Sequence, residues 1–220
     1  MIVKILLMFM PWRMKRALLV RIYKYNIHPT AKIGISYIYP ESMTMHPGAI
    51  IGHGNVVKGL SSLALGKNSV IGNLNWITGF PKSGRGFFTQ ELERHPSLIV
   101  GDESAITNRH LIDCTNTVAL GDFVTFAGFR SQILSHSINL KQCRQASAPV
   151  IISDYCFIGS GAIILPGCKI GAKSIVSAGV TIGGDHSDKS GFIFFNSSLV
   201  EKQISIDDYK YFDRDEGKVV

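Results

Sequence analysis

The most regular feature of this chain is an apolar beat at every sixth position. Ile152, Ile158, Ile164, Ile170, Val176 and Ile182 keep that spacing, and Cys156, Ala162, Cys168, Ser174 and Val180 stand four places after the first five. An α-helix repeats near 3.6 and a half-buried strand at 2, so neither produces this pattern. Short strands joined by tight corners do: a bulky residue fills the centre of each coil, and a small one lets the wall turn. Gly159 and Gly171 directly follow repeat isoleucines, where a corner needs backbone freedom. The predicted class is an all-β solenoid.

The beat extends upstream. Val100, Ile106, Ile112 and Val118 keep step, then a two-residue slip restarts it at Leu120 and Phe126. Leu65, Ile71 and Ile77 carry it further back, less cleanly around Ile51 and Val57. Two stretches interrupt it: "FPKSGRGFFTQELERHPS" from Phe80 to Ser97, and "RSQILSHSINLKQCRQ" from Arg130 to Gln145, which holds His136. In a solenoid such interruptions leave as loops on the outer face, where function tends to sit. The chain divides into an arm over 1–27, a repeat domain over 28–186 and an extension over 187–220.

Charge changes the picture at the ends. The net charge of +7 on 220 residues is concentrated in Lys4, Arg13, Lys15, Arg16, Arg21 and Lys24, all before the first acid, Glu41. The body is thus near neutral, which argues against nucleic acid as a partner. The arm reads "MIVKILLMFMPWRMKRALLVRIYKY"; its apolar run contains Lys4 and ends at Pro11, too short to span a bilayer. No small-residue cleavage site follows, which argues against a signal peptide. Such a helix suits an anionic membrane surface, giving a cytoplasmic protein peripheral on the inner face. The alternative is a helix packed over the end of the core. Cys114, Cys143, Cys156 and Cys168 show no metal spacing and read as free core thiols. His28, His46, His53 and His95 read as structural, and Asp207, Asp208, Asp213, Asp215 and Glu216 as a solvated tail.

Three stretches, "VGDESAITNRHLIDCT", "FRSQILSHSINL" and "ISDYCFIGSGAIILPGCKIGAKSIVSAGV", resemble the hexapeptide-repeat acyltransferases, in particular the sugar and polysaccharide O-acetyltransferase branch. The resemblance covers roughly Ile33 to Ile182, and the last stretch is the most specific, with "FIG" and "LPG" in phase with the beat. It implies a left-handed parallel β-helix, against the usual right-handed crossover preference, assembled as a homotrimer. It also implies acetyl-CoA as co-substrate in the groove between subunits. His136 matches the family's catalytic base. Phe157 matches the aromatic residue near the acyl end, and Ser160 and Ala178 match coenzyme-contacting positions that should stack in one column. Asn108 matches an asparagine that touches the acceptor sugar in galactoside-type members. Where the family closes its last coil with a "GNPAK"-like turn, this chain has "GFIFFNSSLVEKQ", so contacts to the outer part of the coenzyme do not carry over.

Acyl transfer from a thioester to a hydroxyl needs a base, an oxyanion donor and aligned substrates. A histidine near its ordinary pKa of about 6.5 suits the first role. A backbone N–H near Ser160 or Gly161 suits the second. The expected reaction is direct acetyl transfer to a sugar or polysaccharide hydroxyl, on an acceptor that is free or lipid-linked. His110 and Asp113 bind the acceptor, orient His136 or satisfy a corner; Arg109 and Arg130 hold an anionic acceptor or a coenzyme phosphate, or pair at the surface. N-acetylation of an amino sugar and a non-catalytic scaffold are the rival readings. A zinc enzyme would need paired histidines near His136, and the sequence has none there, so no metal is expected.

Overall fold

The computed structural model describes residues 2–82, 87–195, 200–217 and 219. The six-residue beat folds into three parallel sheets around one core, each coil passing through all three. The first sheet takes Asn26–Ile27, Ser42–Met45, Ser62–Leu65, Ser97–Val100, Val118–Leu120, Val150–Ile152, Lys169–Ile170 and Asp185–His186. The second takes Lys32–Ile33, Ile50–Ile51, Val70–Ile71, Ala105–Ile106, Thr125–Phe126, Phe157–Ile158, Ile175–Val176 and Phe192–Phe195, with Val200–Gln203 turned back antiparallel at its end. The third takes Tyr37–Tyr39, Val56–Lys58, Trp76–Thr78, Leu111–Asp113, Gln132–Ile133, Ile163–Ile164 and Thr181–Ile182. The sheets therefore extend past 28–186 at both ends. Residues 83–86 of the first interruption and residues 196–199 of the C-terminal "GFIFFNSSLVEKQ" stretch lie outside the described residues.

Register follows the beat. Ile112 sits between Ile77 and Ile133, and Ile158 between Phe126 and Val176. The six repeat residues from Ile152 to Ile182 are fully buried, as are the small residues Cys156, Ala162, Cys168 and Ser174. Each such aliphatic side chain contributes about 1.5–3 kcal/mol. Val118 and Leu120 both face inward, beside Leu98 and Val100. The two-residue slip is absorbed within that strand, whose period of two turns both Val118 and Leu120 inward.

Three sequence expectations need revision. Gly159 and Gly171 do not have positive φ; a Cβ there would stand 2.6 Å from the Ala178 nitrogen and 2.1 Å from the Lys189 carbonyl oxygen, so close coil stacking demands glycine. The left-handed residue comes two places later, at Gly161 (φ +70°) and Lys173 (φ +56°). Cys143 is exposed, unlike the other three cysteines. The acidic end is no free tail: Phe212 is buried, the Tyr211 hydroxyl donates to the Cys156 carbonyl at 3.0 Å, and Arg214 stacks on Tyr211 at 3.9 Å.

The arm folds as α1 (Ile2–Met8) and α2 (Trp12–Ile22) and lies over the open end of the coil. Leu7, Lys15 and Leu19 face inward. Lys15 Nζ donates to the Gly34 carbonyl at 2.7 Å, Arg16 to that of Ile27 at 2.6 Å, and the Tyr39 hydroxyl to that of Lys4 at 2.9 Å. Burial pushes the Lys15 ammonium down to about 8. A terminal coil would otherwise leave its core open to water, and the helices close it.

Candidate active site

Each coil turns three corners, and the interruptions use only one of them. The corner leading from the third sheet back to the first carries both the Phe80–Pro96 loop and a hairpin of two strands, His136–Asn139 and Arg144–Ser147. The coil between these insertions makes a short corner at Asp113–Thr117. That short corner becomes a floor, with the loop as one wall and the hairpin as the other.

Asp113 organises the floor. Its Oδ1 accepts from the Thr115 amide at 3.0 Å and the Thr115 hydroxyl at 2.6 Å. Its Oδ2 accepts from the Ser135 amide at 2.8 Å, the Ser135 hydroxyl at 3.1 Å, the His136 amide at 3.0 Å and His136 Nδ1 at 2.6 Å. An ionised carboxylate can only accept, so the proton sits on Nδ1 and the Nε2 lone pair is free. Among the described residues nothing hydrogen-bonds Nε2, and the ring opens onto a cleft of about 300 Å³ lined by Thr78, Gly79, Phe80, Phe87, Phe88, Thr115 and Gln145. Hydrogen bonding to Asp113 raises the His136 pKa above its ordinary value; burial opposes this, the Asp113 charge reinforces it and the Arg94 charge opposes it. Burial alone would raise the Asp113 carboxyl, but the bonds from His136, Thr115 and Ser135 together with the His136 charge outweigh it and hold it below the usual range.

The walls are latched together. The Glu91 carboxylate accepts from the Ser147 amide at 2.9 Å and from its hydroxyl, and Arg144 donates to Gln90. Asn116 Nδ2 reaches the Ser147 hydroxyl from the floor at 3.0 Å. Arg94 is buried behind the loop, and the edge of Phe88 meets the His136 ring at 6.1 Å.

Of the sequence candidates, the structure brings together His136 and Asp113. Asn108, Arg109 and Arg130 lie at the corner between the second and third sheets, away from His136 in the same chain. There Asn108 Oδ1 accepts from the Asn73 amide at 2.8 Å, while Arg109 (φ +58°) and Arg130 (φ +62°) hold the left-handed turn position with exposed side chains. His110 is 1% exposed: its Nδ1 accepts from the Ser131 amide at 3.2 Å and its Nε2 lies 3.0 Å from the Thr107 hydroxyl. It continues an inward ladder in which the Asn75 amide bonds Asn55 Oδ1 and the His110 amide bonds Asn75 Oδ1, each at 2.9 Å. No surface remains for it to hold an acceptor. Ser160 and Ala178 stack in one column, the Gly179 amide donating to the Ser160 carbonyl at 2.9 Å. Phe157 faces outward from its sheet but lies against Tyr211 at 5.7 Å, beneath the C-terminal segment.

Sequence reasoning passed over Arg94, Glu91, Phe80, Phe88 and Gln145. A signal was there: two insertions follow third-sheet strands two coils apart, so they must leave the same corner side by side.

Residues 149–184 match the family described as bacterial transferase hexapeptide (six repeats). No curated protein sequence matches significantly. Among solved structures, a hexapeptide-repeat acetyltransferase of Vibrio cholerae is 21% identical, with 63% of this chain and 72% of that chain covered at a TM-score of 0.51. In its acetyl-CoA complex the same Vibrio protein aligns over 59% of this chain, again at 21% identity, with a TM-score of 0.47; this chain then spans 64% of its length, just under two thirds. A variant of AntD, an N-acyltransferase of Bacillus cereus solved with dTDP-4-amino-4,6-dideoxyglucose and coenzyme A, is 13% identical, covers 87% of each chain and has a TM-score of 0.53. The fold is that of the left-handed parallel β-helices. Within that fold, the match to the hexapeptide-repeat family covers residues 149–184.

Proposed function

We propose that this protein is an acetyl-CoA-dependent O-acyltransferase that moves an acetyl group to a hydroxyl of a sugar or polysaccharide unit. The observation that carries the reading is the His136–Asp113 pair, with Nδ1 held by the carboxylate and Nε2 open to a cleft. Nε2 takes the hydroxyl proton as the acceptor oxygen bonds the acetyl carbon. The same proton then passes to sulfur as the C–S bond breaks and the coenzyme leaves. Asp113 stays ionised throughout and stabilises the transient imidazolium. The acceptor ring lies in the cleft against Phe87 and Phe88, with the Gln145 amide within reach of a second hydroxyl.

The coenzyme positions Phe157, Ser160 and Ala178, and the acceptor or phosphate positions Asn108, Arg109 and Arg130, stand away from His136 in one chain. A site that uses both sets requires a neighbouring copy, which supports a homotrimer with the reaction at the subunit interface. The outer side of the arm exposes Val3, Leu6, Phe9, Met14 and Ile22 beside Arg13, Arg21 and Lys24. That composition supports contact with an anionic membrane surface and a lipid-linked acceptor, while the inner side remains a cap. Leu6→Ser with Phe9→Ser, in place of deleting the arm, should abolish sedimentation with anionic vesicles and leave the assembly intact.

The decisive experiment incubates the protein with acetyl-CoA and panels of neutral and amino sugars, following free thiol and product mass. Ester products that are cleaved by mild base support the reading. Amide products alone would establish N-acylation, and no transfer to any acceptor would leave the scaffold reading.

A further inference from the structure

We propose that Arg94 is a positioning residue for this site, fixing the aromatic wall of the cleft and setting the charge balance of the His136–Asp113 pair. The proposal rests on the general-base reading of His136. Arg94 is 4% exposed, yet no carboxylate lies within hydrogen-bonding distance of it among the described residues. Its Nη1 donates to the Phe80 carbonyl at 2.6 Å and the Thr115 carbonyl at 2.8 Å, and its Nη2 to the Pro81 carbonyl at 3.2 Å. Its Cζ lies 4.6 Å from the centre of the Phe88 ring. One rigid fork thus ties both ends of the loop to the floor, and Thr115 in turn bonds Asp113. A lysine is a point charge with no such fork and could not hold three carbonyls and a ring face together.

A buried guanidinium is costly to desolvate, so its retention behind the catalytic pair calls for a reason. The charged groups around His136 provide one. Asp113 faces it from the adjacent coil, Arg94 and Glu91 stand on the loop, and Arg144 on the hairpin is tied to Gln90. Asp113 by itself favours the protonated imidazole, which cannot act as a base. The Arg94 charge works against that proton.

The test compares wild type, Arg94→Met and Arg94→Lys by NMR titration of the His136 ring and by the pH dependence of kcat/KM. Arg94→Met should move the His136 titration, and with it the acid limb of the rate profile, to higher pH. Its kcat should fall by about 10–100-fold as the wall shifts. Arg94→Lys should keep the wild-type titration, since the charge remains, yet lose kcat because the fork is gone. An unmoved titration in folded Arg94→Met overturns the charge role, and full kcat in Arg94→Lys overturns the positioning role. If Arg94→Met does not fold, Arg94→Lys decides: wild-type titration with reduced kcat supports the proposal, and any other combination overturns it. The NMR titration needs no turnover. Absence of acetyl transfer in wild type would therefore sink the functional reading while still leaving the charge of Arg94 decidable.

Discussion

At the corner between the second and third sheets, the coils from Gly52 to Val180 turn in four or five residues. Nearly every polar group there has a partner in the coil above or below. His53 N bonds Asn73 Oδ1, Asn73 N bonds Asn108 Oδ1, and inside them Asn55, Asn75 and His110 form a second ladder. At the corner between the third and first sheets, by contrast, coil length varies from the short Pro40–Glu41 turn to the insertions after Thr78 and Ile133. There a polar group is left over: His136 has one nitrogen bonded and one facing a cleft. A stacking ladder makes a corner stable by satisfying it, and a satisfied corner has nothing to offer a substrate. On the proposed reading, chemistry enters where the stack is interrupted.

Breaking the ladder side of this comparison should have the largest effect. Ile158→Asp puts a carboxylate into a fully buried slot between Phe126 and Val176, with no partner. An unpaired buried charge costs several kcal/mol or more, comparable with the whole stability of a domain. Loss of the β circular dichroism signal in the soluble fraction is the expected result. A folded, cooperative mutant would mean that the coil phase described here is wrong.

The cleft side is tested next. His136→Ala removes a 42%-exposed ring from the surface, so the fold should survive. Turnover should fall by roughly 10²–10⁴, the usual worth of a positioned base. In wild type, kcat/KM should rise with pH through a limb lying above the ordinary histidine value, because bonding to Asp113 raises His136 and only its neutral form accepts a proton. Asp113→Asn should move that limb to lower pH. A limb that stays put on removal of the carboxylate would break the assignment of Asp113.

These tests divide along the line between what the chain revealed and what it concealed. The solenoid was legible because burying Ile152 to Ile182 demands a strict spacing, and spacing survives in one dimension. His136 was legible because it breaks that spacing. Asp113 could be named but not given a role, since a residue at a corner reads the same whether it orients a base or closes a turn. Arg94 was illegible. Its partners are main-chain carbonyls of Phe80, Pro81 and Thr115, and a carbonyl leaves no mark on residue type. His110 misled for the opposite reason: as a histidine it invited chemistry, yet it stands where Asn55 and Asn75 stand in earlier coils, as a ladder acceptor.

That difference between two histidines gives a pH signature. Burial pushes His110 down to about 4, so the folded protein resists a proton that the unfolded chain accepts near 6.5. Its contribution to stability is therefore full above about 6.5 and lost as pH falls toward 4, at about 1.4 kcal/mol per unit. His136 has the opposite sign: its raised pKa adds stability below the unfolded value, and this is lost as pH rises through the folded one. His110→Asn keeps a ladder acceptor and should flatten the acid-side loss in urea unfolding between pH 7 and pH 5. An unchanged slope would show that His110 is not the group being protonated.

The smallest expected effect belongs to Asn108, and it bears on whether the ladder corner is structural alone. Asn108→Ala leaves the Asn73 amide without its side-chain acceptor on an exposed corner, where water replaces part of the bond. A cost of about 0.5–1.5 kcal/mol follows. If the corner does nothing more, acetyl transfer should be unchanged once the protein is kept well below its melting temperature. If a neighbouring copy brings Asn108 to the acceptor, KM for the acceptor should rise while KM for acetyl-CoA and kcat at saturation hold. Asn108→Asp separates the two outcomes, since a carboxylate still accepts from the Asn73 amide and restores the corner. Recovered stability with a raised acceptor KM would place Asn108 at the substrate. Recovered stability with wild-type kinetics would confine the chemistry to the interrupted corner.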